Sequence, residues 1–344
     1  MSLEGLPLEI KVMIMSRAPD IETLHNITRA SPEYHSAFRG AKEEIFNNIT
    51  VETLSSVCVD ILESWSAAHA PHLNLDTPDR EKIILDVLRR YYKRLPKYTR
   101  NTRLEVAESL AILRLHRKIA AVIARYCKQN LTYNPLDGQV DAVPPSASEL
   151  HRLYRAAYRY ELYSRLFGAG PGGVNTSIYH IVHTLDEDQI AEIFFGLFPI
   201  HEVEEIACLH KFASDHYDGK KVPKNLASLG PTYLDCMLKT STRPEWLPLL
   251  SEFPLDNNIT SLRRVLDAYE RVVDTGTWYW RGMEDEPSEE RKPTKGWVWA
   301  SKRGIQNVDF KLRRWGYVFW DEERLRRWNI DEERMLLNYP WTRK

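Results

Sequence analysis

The chain of 344 residues is long enough for two average domains or one large one, and it needs no disulfide or metal to bury a core. Only 15 residues are glycine and the formal net charge is −1, which argues against a glycine-rich β-architecture and against a general attraction to DNA or anionic membranes. Long stretches rich in Leu, Ala, Glu and Arg predict a mainly α protein.

Targeting signals are not recognisable in the sequence. The N-terminal residues carry Glu4 and Glu9 and lack the basic and apolar regions of a signal peptide. The longest apolar run, residues 193–200, is shorter than the ~20 residues that a membrane helix needs. Four widely spaced cysteines without a C-x-x-C pair are typical of a reducing compartment. We therefore expect a cytoplasmic or nuclear protein with no membrane partner.

The first 45 residues predict three short helices. Pro7 suits the first turn of a helix over residues 8–17, Pro19 and Asp20 separate this helix from a second one, and Ser31 starts a third. Apolar residues recur at helical spacing through the segment: Ile10, Ile14, Ile21, Leu24, Ile27, Tyr34 and Phe38.

The order and spacing of residues in this segment also follow a known pattern. The pattern consists of Leu6-Pro7-x-Glu9-Ile10, Ile14, Asp20-Ile-x-x-Leu24, Ser31-x-x-Tyr34 and Phe38. It resembles the F-box, and in particular the N-terminal segment of a large group of fungal F-box-like proteins. The resemblance implies that residues 1–45 bind the small linker subunit of cullin–RING ubiquitin ligases, while the remaining chain recruits a protein substrate. The residues it assigns to partner binding are Leu6, Pro7, Ile10, Ile14, Leu24 and Tyr34.

Two interpretations of the N-terminal segment stay open. A terminal three-helix unit with so many apolar side chains has more of them than it can bury alone, which favours a partner. The alternative is a helical cap that packs on the rest of the chain, in a scaffold or regulator without a ligase role.

A multi-helix body is predicted over residues 46–275. Apolar stripes and caps place its helices at about 77–95, 103–129, 146–167, 188–198, 200–216 and 261–273. Two capping boxes support these starts, Ser146 with Glu149 and Thr184 with Glu187. Alternation typical of strands is nearly absent.

The C-terminal part, residues 276–344, predicts a small subdomain rich in tryptophan. Eight of the ten tryptophans follow residue 277, and two W-x-W triplets flank a charged stretch over residues 284–295. We expect two short paired strands joined by a mobile loop, packed on the helical body, with most indoles in the core. The triplet residues Trp278, Trp280, Trp297 and Trp299 are the candidates for a substrate surface.

Two sequence matches could suggest an enzyme. The G-x-G-x-x-G match over residues 168–173 follows a helix rather than a strand, and is therefore interpreted as a glycine C-cap and loop. His201, Glu205 and Cys208 share a helix face and form the remote alternative, the metal site of a hydrolase. We expect neither catalysis nor a cofactor nor a metal.

Charge is distributed unevenly along the chain. Residues 80–128 contain fourteen Lys or Arg and four Asp or Glu, whereas residues 184–206 contain seven acidic and no basic residues. The basic residues are interpreted as solvated outer faces of helices, with the acidic segment as a candidate partner. Interleaved Tyr91, Tyr92 and Tyr98 leave single-strand nucleic acid as the alternative, which the sequence does not favour.

Overall fold

The computed structural model describes residues 3–54, 58–69, 80–94, 104–134, 138–141, 143–167, 185–219, 224–239, 262–274, 292–301 and 310–330. Within these ranges the chain forms fourteen α-helices and five short 3₁₀ or π-helical turns, so the mainly α fold is confirmed. In chain order the helices are α1 (Leu8–Ser16), α2 (Ile21–Ala30), α3 (Pro32–Leu54), α4 (Cys58–His69), α5 (Arg80–Arg94), α6 (Val106–Tyr126), α7 (Ala147–Phe167), α8 (Glu187–Ile190), α9 (Ile200–Gly219), α10 (Pro231–Lys239), α11 (Leu262–Asp274), α12 (Lys295–Ser301), α13 (Phe310–Trp315) and α14 (Glu322–Arg327). None of these helices is both long and apolar enough to cross a membrane.

Helix starts follow the local capping chemistry. The capping box predicted at the start of α7 is present, because Ser146 Oγ accepts from Glu149 N at 3.1 Å and Glu149 Oε2 accepts from Ser146 N at 3.0 Å. At α8 the cap is Asp186, paired with Gln189, and not the predicted Thr184. Asp186 caps the helix by accepting from Gln189 N at 2.8 Å, so the predicted start was two residues too early.

Helix α7 lies at the centre of the body. Fifteen of its 21 residues are buried, and α4, α6, α9 and α10 pack around it. The helix is therefore enclosed on most sides, although its sequence carries many Arg, Glu and Tyr residues. Their burial requires partners for the charged groups.

A network of buried charges supplies those partners. Arg159 donates to Asp60 at 2.9 Å and to Glu202 at 2.6 Å, and Arg155 contacts Glu202 and Glu205, each at 3.1 Å. All five side chains are nearly excluded from solvent. The network ties α7 to α4 and α9 and leaves none of its own charges without an opposite charge.

The described C-terminal residues pack on the helical body, as predicted. Arg313 on α13 forms two hydrogen bonds of 2.7 Å with Glu204 and also contacts Glu270. Arg324 on α14 forms bonds of 2.7 and 2.8 Å with Glu149. These bidentate pairs fix α13 and α14 against α9 and α7 with the geometry that a guanidinium and a carboxylate favour.

The predicted C-terminal strands are wrong where the structure describes them. Trp297 and Trp299 lie in helix α12, which Thr294 caps by accepting from Trp297 N at 3.0 Å. The cap and the following helical turn override the strand preference of alternating aromatic residues. Trp278, Trp280 and most of the predicted mobile loop lie outside the described residues.

His210 on α9 makes the stability of the body sensitive to acid. Burial, and next the positive charges of Arg263, Arg313 and Lys211, lower the pKa of His210 to about 3. The unfolded chain, with a histidine pKa near 6.5, then binds a proton that the folded chain does not. We expect the free energy of unfolding to fall as the pH drops from about 6.5 towards 3, by up to about 1.4 kcal/mol per pH unit from this residue.

Denaturant unfolding of wild type and His210→Gln across this pH range measures the effect. The variant should show a shallower acid slope below pH ~6 and an unchanged slope above pH ~7. Equal slopes for both proteins in the acid range would contradict the assignment.

Candidate protein-binding surface

Helices α1–α3 form an N-terminal unit (residues 3–54) with an apolar core of its own. Val12 and Met15 of α1 pack there with residues of α2 and α3, and Leu113 of α6 closes the core from the body side. Helix α3 continues to Leu54 with a kink at Ala41, so the predicted boundary at residue 45 falls inside this helix. The unit therefore has an apolar core of its own and also packs against the body through α6.

Helix α1 is apolar on both of its faces. The inner face carries the buried Val12 and Met15, while Ile10 and Met13 on the outer face are 37% and 55% exposed. A helix that is hydrophobic all round is normally covered all round. In this chain the described residues cover only one side of α1.

Exposed apolar side chains are concentrated around α1. Seven large hydrophobic side chains of the described residues are exposed to solvent, and four of them lie within residues 3–13. These four are Leu3, which precedes α1, Leu8 in its first turn, and Ile10 and Met13 on its outer face; we call them together the α1 apolar face. Exposed apolar groups that are this clustered are typical of an interaction site, whereas isolated ones are ordinary.

A groove of about 510 Å³ runs between α1 and α3 next to this face. Leu8 and Met13 line one side, and Ala41 and Val51 line the other. Arg17, which directly follows α1, also lines the groove and forms a 2.6 Å ion pair with Glu52 of α3. Polar and charged residues, among them Glu9, Glu44 and Asn48, complete the lining, so the groove is apolar only in part.

The six partner residues predicted from the sequence lie partly on the surface and partly in the core. Pro7 and Ile10 are exposed, and Leu6 is half-buried. Ile14 is half-buried and packs on the core of the N-terminal unit.

Leu24 and Tyr34 are buried in that core. Tyr34 also lies under the ammonium of Lys11, 5.9 Å from its ring centroid. These two residues can support the surface but do not belong to it.

Sequence reasoning missed Leu3, Leu8 and Met13. Their signal was present in the sequence of α1, Leu8-Glu-Ile-Lys-Val-Met-Ile-Met-Ser16, which has apolar residues at nearly every angle around the helix. The F-box-like pattern includes only Ile10 and Ile14 among the apolar residues of this helix, which share one stripe.

The remote metal site has no support in the structure. Glu205 is bound to Arg155, and burial raises the pKa of the Cys208 thiol, which opposes the thiolate that a metal requires. His201 is buried on the same helix. Within the part of the chain that the structure describes, no group of three His, Cys, Asp or Glu residues could hold a metal ion.

Among the four tryptophan candidates, the structure describes the side chain of Trp297, and this side chain does not lie on the surface. Trp297 is buried and stacks on Tyr317 with ring centroids 6.5 Å apart. Trp320 and Trp328 meet edge to face at 5.2 Å inside the main core. Trp278, Trp280 and the side chain of Trp299 lie outside the described residues.

Comparison with known proteins gives no relative: no protein-family model, curated protein or solved structure matches the chain. The functional argument therefore rests on the geometry of the N-terminal unit.

Proposed function

We propose that the protein is an interaction adaptor that binds a partner protein through the α1 apolar face. The observation that carries the proposal is that α1 is apolar on both faces while only its inner face is covered by described residues. Covering the outer face would remove Ile10 and Met13 from water, with about 1.5–3 kcal/mol for each fully buried side chain.

The resemblance of residues 1–45 to the F-box suggests the identity of the partner. We propose the linker subunit of cullin–RING ubiquitin ligases, with the helical body recruiting a protein substrate and with no catalysis by this chain. Pro7 and Ile10 would then contact the linker directly, whereas Leu24 and Tyr34 would hold α1 in position from below. The proposed compartment is the cytoplasm or the nucleus.

A scaffold without a ligase role is the second candidate. Leu113 of α6 takes part in the core of the N-terminal unit, as a helical cap on the body would require. The two candidates differ in whether α1 binds a partner in solution.

Binding of the purified linker subunit to the full-length chain, measured by isothermal titration calorimetry, tests the proposal. Ile10→Asp with Met13→Asp should weaken binding by at least about 30-fold, because about 2 kcal/mol of apolar contact is lost. The matched control is Val140→Asp, which alters an exposed apolar residue outside the N-terminal unit and should leave the affinity unchanged.

Circular dichroism should show the same helix content for all three proteins. If wild type does not bind the linker at micromolar concentrations, the ligase role is refuted and the scaffold remains. If the double variant binds like wild type, α1 is not the contact surface.

A further inference from the structure

The acidic segment predicted as a partner of the basic stretch pairs elsewhere. Glu202 and Glu205 bind the arginines of α7, and Glu204 binds Arg313. Asp188 forms a 3.0 Å ion pair with Arg271. The positive charge of α6 is therefore not neutralised by this segment.

The exposed face of α6 and of the π-helical turn after it carries a row of cations. We call this row the α6 basic stripe: Arg114, Arg117, Lys118, Arg125 and Lys128, all exposed. At about 100° per residue these positions fall within about 100° of the helix circumference. They lie opposite the buried Ile112, Ile119 and Ile123, so the stripe faces away from the core.

The stripe lacks the acidic neighbours that some other exposed cations of the described residues have. Arg263 pairs with Asp267 at 2.8 Å and Arg326 with Glu322 at 3.7 Å, both at i,i+4 spacing. In contrast, residues 109–134 contain no Asp or Glu, and no acidic side chain of the described residues forms an ion pair with the stripe. Five like charges on one face repel one another unless an anionic partner covers them.

The shape of the stripe fits another helix. Ala121 and Ala124 are exposed between the cations, so a partner backbone can approach α6 closely. From Arg114 to Lys128 the stripe is about 21 Å long at 1.5 Å per residue. Three of its five members are arginines, whose planar guanidinium binds a carboxylate through two hydrogen bonds.

The surroundings favour a protein over a nucleic acid. The N-terminal unit, which packs against α6 at Leu113, contains eight acidic and five basic residues, so a long polyanion that extends past that end of the stripe meets like charge. No Phe, Tyr or Trp lies between Arg114 and Arg125 to stack on bases. A short acidic segment avoids both difficulties.

We propose that the α6 basic stripe binds an acidic α-helix of a partner protein that presents carboxylates along one face. The proposal does not depend on what binds α1. It predicts that the arrangement of carboxylates, and not only their number, determines the affinity.

Two synthetic helical peptides of about 20 residues, long enough to span the stripe, serve as probes. Both have the same Ala, Gln and Glu composition, but one places its Glu residues on a single face and the other spreads them around the helix. Fluorescence anisotropy at low salt with the full-length chain should give about tenfold tighter binding of the single-face peptide, and this binding should weaken with added salt.

The stripe variant Arg117→Glu, Lys118→Glu, Arg125→Glu should lose at least about tenfold in affinity for that peptide. The charge-matched control Arg29→Glu, Arg39→Glu, Lys42→Glu alters three exposed cations of the N-terminal unit and should stay within about twofold of wild type. If the stripe variant is not folded by circular dichroism, Arg117→Gln with Arg125→Gln replaces it.

Three results would overturn the proposal. These are equal affinity for the two peptides, equal loss in the control variant, and tighter binding of an oligonucleotide of the same charge than of the single-face peptide. The last result would assign the stripe to nucleic acid.

Discussion

Replacing Arg159 with methionine is expected to lower the free energy of unfolding by about 3–5 kcal/mol. Arg159 is nearly excluded from solvent and donates to both Asp60 and Glu202, and its guanidinium lies 4.2 Å from the centroid of the Phe198 ring. Methionine keeps much of the volume but leaves the carboxylate of Asp60 buried without its cation. A loss of this size is comparable to a large part of the stability of an average domain.

Chemical denaturation at neutral pH measures the loss, and Arg89→Met is the control. Arg89 pairs with Asp86 at 3.1 Å in an exposed i,i+3 contact, so its replacement should cost no more than about 1 kcal/mol. Adding Asp60→Asn to Arg159→Met should recover part of the stability, because the amide carries no charge. Equal losses in the Arg159 and Arg89 variants would show that the buried network is not a stabilising unit.

Replacing Trp320 with alanine is expected to cost about 3–5 kcal/mol and to loosen the C-terminal residues from the body. Trp320 is the largest fully buried side chain of the described residues and packs edge to face on Trp328. Its removal leaves a cavity beside Trp328 in the main core that rigid helices cannot fill. Limited proteolysis should then cleave the C-terminal part faster than in wild type.

Trp320→Phe is the matched control for this cavity. The indole Nε1 of Trp320 makes no hydrogen bond to any described residue, so phenylalanine loses only part of the packing. We expect a cost of about 1–2 kcal/mol and a cleavage rate close to that of wild type. A phenylalanine variant as unstable as the alanine variant would argue that the N–H group, and not the ring volume, matters.

Periodicity and caps predicted most of the helices because these signals are local. The α7 start depends on Ser146 and Glu149, three residues apart, and the α2 start depends on Asp20 accepting from Thr23 N at 2.6 Å. The prediction at α12 was wrong because two local signals conflict there. The W-x-W alternation predicts a strand, whereas the cap formed by Thr294 starts a helix.

The buried network could not be predicted because its members are distant in sequence. Arg159 and Asp60 are 99 residues apart, and Arg324 and Glu149 are 175 residues apart. The sequence of an Arg-rich helix such as α7 does not show where its charges find partners, and only the fold shows that they are neutralised inside. The candidate site was predicted in location by the Leu6-Pro7 pattern, but its exposed members depend on which face of α1 the other helices cover.

Helix α6 belongs to two cores at once. Adjacent residues divide between them, with Leu113 in the core of the N-terminal unit and Ile112 in the core of the body. One continuous helix thus carries both the contact with the N-terminal unit and the basic stripe, and its regular geometry fixes their relative orientation. Inserting a single residue between Leu113 and Arg125 would turn one end relative to the other by about 100° and shift it by about 1.5 Å. Two partners bound at these surfaces would be held at a fixed spacing and a fixed angle, without any hinge between them.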